Sequence, residues 1–225
     1  MVLDRERFFD IWSRCGGGGE KGPIFEEVET HYLEPHRHYH TAAHVVFCLR
    51  ELDKVFVNIN HSGAVSQQDT IELSLWFHDV VLEIPAVNNE QKSAEYFLQV
   101  SDARLSNDLR HRVQDAIIAT THKSRPESFE SQLTVDVDLA GLAQPWSDFF
   151  ADSRKVRAEF SHLSDKDFNL SQGIFMNSLL DKTSIYSTEY FLHSHEATAR
   201  KNVARFIHKL KTGHLWTRSL SDTGP

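Results

Sequence analysis

The segment from about Ser66 to Asp79 constrains this chain most. Ile71, Leu73, Leu75, Trp76 and Phe77 make it apolar nearly all round, and a helix of that kind is stable only when other elements cover every side of it. The spacing elsewhere predicts those covering elements. Helices are expected at about Leu3–Ser13, Ile24–Tyr32, Thr41–Val57, Glu90–Val100, Leu105–Thr121, Ser147–Leu163, Asp167–Leu180 and Thr188–Lys211, with a short helix or turn over Leu133–Leu142. Val45, Leu49, Leu52 and Phe56 share one face of the third of these, as Leu109, Val113, Ile117 and Ile118 do further on. No segment shows the period-two alternation of a half-buried strand, and there is no internal repeat. The expected fold is therefore all-α, a bundle of roughly eight to ten helices, built as one domain over residues 1–225 with its core at about 24–211.

Breakers divide these helices. Gly16 to Gly19 follow the first helix without the Lys-Ser/Thr pair of a phosphate loop, and read as a connector rather than a nucleotide cradle. Pro23 suits the first turn of the second helix and Pro35 closes it. Asn58–Gly63 and His122–Gln132 read as loops, and Asn88 or Asn89 as the N-cap of the helix from Glu90.

Charged residues are 25% and hydrophobic ones 40%, as in an ordinary folded protein. The net charge of -8 repels a phosphate backbone, so no nucleic-acid polymer is expected as a partner, and an anionic small substrate would need a cation to receive it. Arg200, Lys201, Arg205, Lys209 and Lys211 crowd the end of the last helix, where the dipole favours positive charge. The two cysteines, Cys15 and Cys48, make no disulfide framework, and the first ten residues have no apolar signal core. A reducing, cytoplasmic location is the default expectation. No apolar run approaches the roughly 20 residues needed to cross a bilayer, so no membrane partner is expected. A homodimer is left open.

Fourteen histidines are the compositional oddity, and only their placement is informative. Arg37-His38-Tyr39-His40-Thr41-Ala42-Ala43-His44 sets two imidazoles four residues apart, which address one point only if the helix already includes position 40. Trp76-Phe77-His78-Asp79 sets an imidazole beside a carboxylate. Such neighbours diverge by about 100° on a regular helix and converge best where one ends. A lone apolar-face histidine is usually a satisfied core residue. An aspartate beside it is costly to bury unless paired or metal-bound. Two imidazoles, the His-Asp pair and a later carboxylate, Asp138 or Asp136, supply the mixed nitrogen and oxygen ligands of a catalytic divalent ion.

At these residues the chain resembles the HD superfamily of metal-dependent phosphohydrolases, whose signature is a His, an adjacent His-Asp pair and a distant Asp, all on helices. Tyr39 to His44, Phe77 to Val81, Asn89-Glu90 with Ser93, and Asp136 to Leu139 carry the likeness, which extends weakly to Glu196, Ala199, Arg200 and Asn202. It implies a helical HD-domain bundle that hydrolyses a phosphate ester of a nucleotide or similar small molecule with one or two divalent ions (Mn, Mg, Co, Fe, Ni or Zn). His44, His78, Asp79 and Asp138 are the implied ligands. The Tyr-His-x-x-x-His arrangement is also similar to that of cyclic-nucleotide phosphodiesterases. There the second His binds metal and the first protonates the leaving oxygen, which would make His44 the ligand and His40 the general acid; the reverse stays open. The His-Pro-Gly that follows in those enzymes is replaced here by Val80-Val81-Leu82-Glu83, so a cyclic nucleotide is not implied.

Four further residues have two readings each. Glu90 is a water-orienting base or a first-turn carboxylate favoured by the dipole. His122 and Lys123 bind a second metal or a phosphate oxygen, or are a plain helix terminus. Arg37 holds a phosphate by its fork or pairs with a nearby acid. The alternatives to a hydrolase are a di-iron oxygenase on the same scaffold, for which His122 is the extra ligand, and a non-catalytic nucleotide-binding HD domain.

Overall fold

The computed structural model describes residues 2–58 and 65–212, and all regular structure in them is helical. In chain order the elements are α1 (Arg5–Arg14), α2 (Lys21–Tyr32), α3 (Ala42–Asn58), α4 (Val65–Phe77), α5 (Asn89–Val100), α6 (Asn107–Ala119), α7 (Phe129–Asp138), a 3-10 turn (Leu139–Ala143), α8 (Trp146–Glu159), α9 (Asp165–Leu180), α10 (Glu189–Ser194) and α11 (Glu196–Thr212). No described helix is long and apolar enough to cross a membrane. Most of the loop expected at Asn58–Gly63 lies outside the described residues; Asn58 itself ends α3.

Helix α4 is the axis, as its all-round apolar character requires. It packs against α1, α3, α5, α6 and α7, and Ile71, Leu73, Leu75, Trp76 and Phe77 have no solvent exposure. α11 covers the other part of the bundle, against α9, α10 and the 3-10 turn. Helix ends differ from the sequence expectation by up to four residues, and two of the differences have a visible cause. α7 starts at Phe129, inside the expected loop, because Ser128 Oγ accepts from Ser131 N at 3.2 Å and caps it. The expected helix Thr188–Lys211 is two helices. His195 packs on the rings of Tyr186, Tyr190 and Phe191, at 5.9, 5.9 and 4.5 Å between centroids, and sits at φ -118, away from the helical value. Asn88 occupies the N-cap of α5 without a side-chain bond, while the Asn89 amide closes the preceding loop onto both backbone groups of Glu83.

The glycine run is a close-packed helix end. Gly17 N donates to Trp12 O at 2.9 Å, and a Cβ added at Gly17 would stand 2.3 Å from Trp12 Cδ1 and 2.6 Å from Trp12 O. Gly16 sits at φ +81, where glycine costs least. Trp12 is fully buried beside Phe8 and Phe77 and cannot move aside cheaply. Gly17→Ala should therefore cost about 1–3 kcal/mol, lowering Tm by about 2–4 °C per kcal/mol in a chain of this size. Gly18→Ala, whose added Cβ meets nothing within 4 Å, should leave the thermal transition unchanged.

Candidate metal centre

Two imidazoles and two carboxylates meet at one point. His44 Nε2 lies 3.2 Å from His78 Nε2, 3.1 Å from Asp138 Oδ1 and 3.5 Å from Asp79 Oδ2. His78 Nε2 lies 3.0 Å from Asp79 Oδ2 and 3.4 Å from Asp138 Oδ1. Both histidines are buried, and the carboxylate side chains are 16% and 14% exposed.

Local chain geometry explains the convergence. α4 stops at Phe77, with His78 N still donating to Ser74 O at 2.8 Å, so His78 and Asp79 leave the helix and turn to a common point. Asp138 closes α7. Asp136, two residues back, is on a different face: its carboxylate accepts from Ser187 N, Thr188 N and Thr188 Oγ1 at 2.9, 2.7 and 2.6 Å. Burial pushes that carboxyl up to about 6 despite these donors. Of the two candidates for the late carboxylate, Asp138 is the one at the cluster.

The ring of His78 is oriented for ligation. Its Nδ1 is 3.0 Å from the Leu75 carbonyl, which can only accept, so Nδ1 carries the hydrogen and Nε2 faces the carboxylates. Burial opposes charging of this imidazole, but Asp79 and Asp138 outweigh it and raise its pKa well above the ordinary value. Burial would likewise raise both carboxyls, yet His78 and His40 hold Asp79, and His122, His44 and His78 hold Asp138, below the usual carboxylate range. Cys48, one turn after His44, brings Sγ to 3.6 Å from His44 Nε2. The ligand atoms of His44, Cys48, His78 and Asp138 all lie within 4.8 Å of one another, and this buried group can hold a metal ion. The donor set of nitrogen, oxygen and sulfur suits a borderline divalent cation.

His40 is not on the helix. α3 begins at Ala42, and the backbone N–H groups of His38, Tyr39 and His40 all donate to Glu159 Oε1, at 2.8, 2.7 and 2.9 Å. The His40 Nδ1–H donates to Glu159 Oε2 at 2.7 Å. This clasp pulls residues 38–40 out of helical register, and the His40 and His44 rings stand 6.0 Å apart, nearly perpendicular. Burial opposes protonation of His40, but Asp79 and then Glu159 outweigh it and push its pKa up to about 9.

Arg37 is a staple rather than a phosphate fork. Its side chain is 0% exposed. Nη1 donates to His40 O and Asp79 O at 3.0 and 2.7 Å, Nη2 to Val80 O at 2.8 Å and Nε to Glu34 Oε2 at 2.9 Å. Of the two readings of Arg37, the acidic partner is present as Glu34, and backbone carbonyls occupy the rest of the guanidinium.

A cavity of about 390 Å³ opens on the cluster, lined at this end by Tyr39, His40, Asp79, Glu90, His122 and Asp138. Burial raises the Glu90 carboxyl, with Asp79 and Asp138 adding to it. His122 follows α6 in the left-handed region at φ 57, a conformation that costs energy for a non-glycine residue. It points Nε2 to 3.2 Å from Asp138 Oδ2, and its buried Nδ1 has no partner. Lys123 is exposed and is not among the lining residues.

Comparison with protein-family models, with curated proteins and with solved structures finds no match.

Proposed function

We propose that the protein is a metal-dependent phosphohydrolase of the HD type, acting on a phosphate ester of a small molecule. The observation that carries this reading is the convergence of His44, His78, Asp79 and Asp138 at the end of a ligand-sized cavity. A divalent ion held by these four residues, with Cys48 beside them, would supply charge for the phosphoryl oxygens and lower the pKa of a water molecule. His40, protonated at neutral pH and facing the cavity, donates its proton to the leaving oxygen. Glu90, across the same cavity, orients the attacking water and accepts its proton. Metal analysis of the purified protein, followed by phosphate-release assays with Mn, Co, Mg, Fe, Ni and Zn on phosphomonoesters and nucleotides, tests the reading. Release from at least one ester is expected; bound metal with no release from any ester sinks it.

Glu159, together with Asp79, raises the alkaline limit of this chemistry. Its carboxylate supports the imidazolium of His40, so the acid stays charged until pH passes the raised pKa, and activity falls above it. Glu159→Gln keeps an oxygen for the three backbone donors but removes the charge. The alkaline limb of the kcat/KM profile should then move down by about 1–3 pH units, the range for loss of a close opposite charge, while metal content stays the same.

A second reading has its own observation. His122 approaches the oxygen of Asp138 opposite to the one facing His44, so His122 and Asp138 would be available to hold a second ion. A two-iron oxygenase would use that arrangement. A mixed-valence iron signal in electron paramagnetic resonance, without phosphate release, would favour it over hydrolysis.

A further inference from the structure

The cavity has two chemically different ends. At the cluster end stand the carboxylates of Asp79, Glu90 and Asp138 with the imidazoles of His40 and His122; none of the described lining residues is Lys or Arg. A fourth lining carboxylate, Asp152, is paired with Lys155 at 2.7 Å. A divalent ion held here, with His40 beside it, would receive one phosphate, and the outer groups of a polyphosphate would find no further cation among the described lining residues and would meet the carboxylates instead. A phosphomonoester, with about two negative charges near neutral pH, places both at the ion and His40.

Toward α8 and α9 the lining is mainly apolar: Phe149 and Val156 of α8, Phe160 just beyond it, Phe175 and Met176 of α9, and Leu142, with Ser153 of α8 and Gln172 of α9 as polar groups among them. The Phe175 ring centroid is 5.9 Å from that of His122, so the apolar wall begins beside the cluster, and a group esterified to the phosphate would enter it directly. Water is poorly held against such a wall and is released when a ring replaces it. The volume of about 390 Å³ is near the lower bound of small-molecule sites, which run from roughly 300 to 1,000 Å³, and suits one small body.

We infer that the ligand is a phosphomonoester of a compact, uncharged aromatic or apolar group, bound with its phosphate at the cluster and its body between α8 and α9, and that the cavity discriminates against polyphosphates. This rests on the phosphohydrolase reading for the word substrate, but the binding preference can be measured without turnover. Calorimetric titration of the metal-loaded protein with phenylphosphonate, methylphosphonate and magnesium-complexed ATP provides the test. Phenylphosphonate is expected to bind at least about tenfold tighter than either of the others, one tenth of the affinity corresponding to a modest loss of ring burial. Phe175→Ala should remove most of the advantage over methylphosphonate. Val156→Trp, which fills the apolar end, should do the same and guards against a folding defect in the first variant. Equal binding of the two phosphonates, tighter binding of magnesium-ATP, or no phosphonate binding overturns the inference. If the phosphonate order holds while no ester is hydrolysed, the hydrolase reading falls and the ligand assignment stands.

Discussion

Asp138→Ala is expected to yield a protein with unchanged helical circular dichroism that no longer retains a divalent ion after gel filtration. Asp138 faces both His44 and His78 through one oxygen and His122 through the other, so its loss removes a ligand and the group that orients three imidazoles. Losing even an outer partner of a ligand costs about 10–100-fold in metal affinity or activity, and the direct ligand should exceed that. Asp136→Ala is the control two residues away. It should keep full metal content and instead destabilise α10, whose N-cap residue Thr188 is held by the Asp136 carboxylate. Full metal retention by Asp138→Ala would refute the ligand assignment; equal metal loss in both variants would reduce it to a folding effect.

Arg37→Met should have the largest effect on stability of any single change near the site. It leaves the carbonyls of His40, Asp79 and Val80 without their buried donor. Each buried acceptor left without its donor costs about 1–3 kcal/mol, and at about 2–4 °C per kcal/mol the melting temperature should fall by at least about 6 °C. Arg37→Lys should recover only part of this, since one ammonium cannot fork across three carbonyls. An unchanged melting temperature with a raised KM would restore the phosphate-binding role that the sequence also allowed for Arg37.

The parts of this molecule that were legible in its sequence are those written in short-range spacing. Helices announce themselves by their apolar faces, and the His78-Asp79 pair stands out because it ends the most apolar helix. Cys48 is equally legible, since it stands one helical turn from His44 and a thiol is a metal ligand as well as a disulfide partner. The cap at Ser128 was also readable. Other features have no local signature. Both halves of the stretch from Thr188 to Lys211 have helical spacing, and the break at His195 comes from rings it meets in space. The charge of Arg37 does not reveal whether its fork meets a phosphate or a carbonyl. Tyr39 and Asp152 enter the cavity wall only once α8 is in place. The family likeness and the chemistry it implies rest on the order of a few residues, and the experiments above decide them.

The Glu159 clasp has a consequence for how the protein comes into being. His44, His78, Asp79 and Asp138 are all in hand once the chain has been made through α7, but the loop carrying His40 takes its shape from a carboxylate 119 residues further on. A chain made only through its first seven helices would thus contain the group that can hold a metal ion but not the carboxylate that shapes the loop carrying His40.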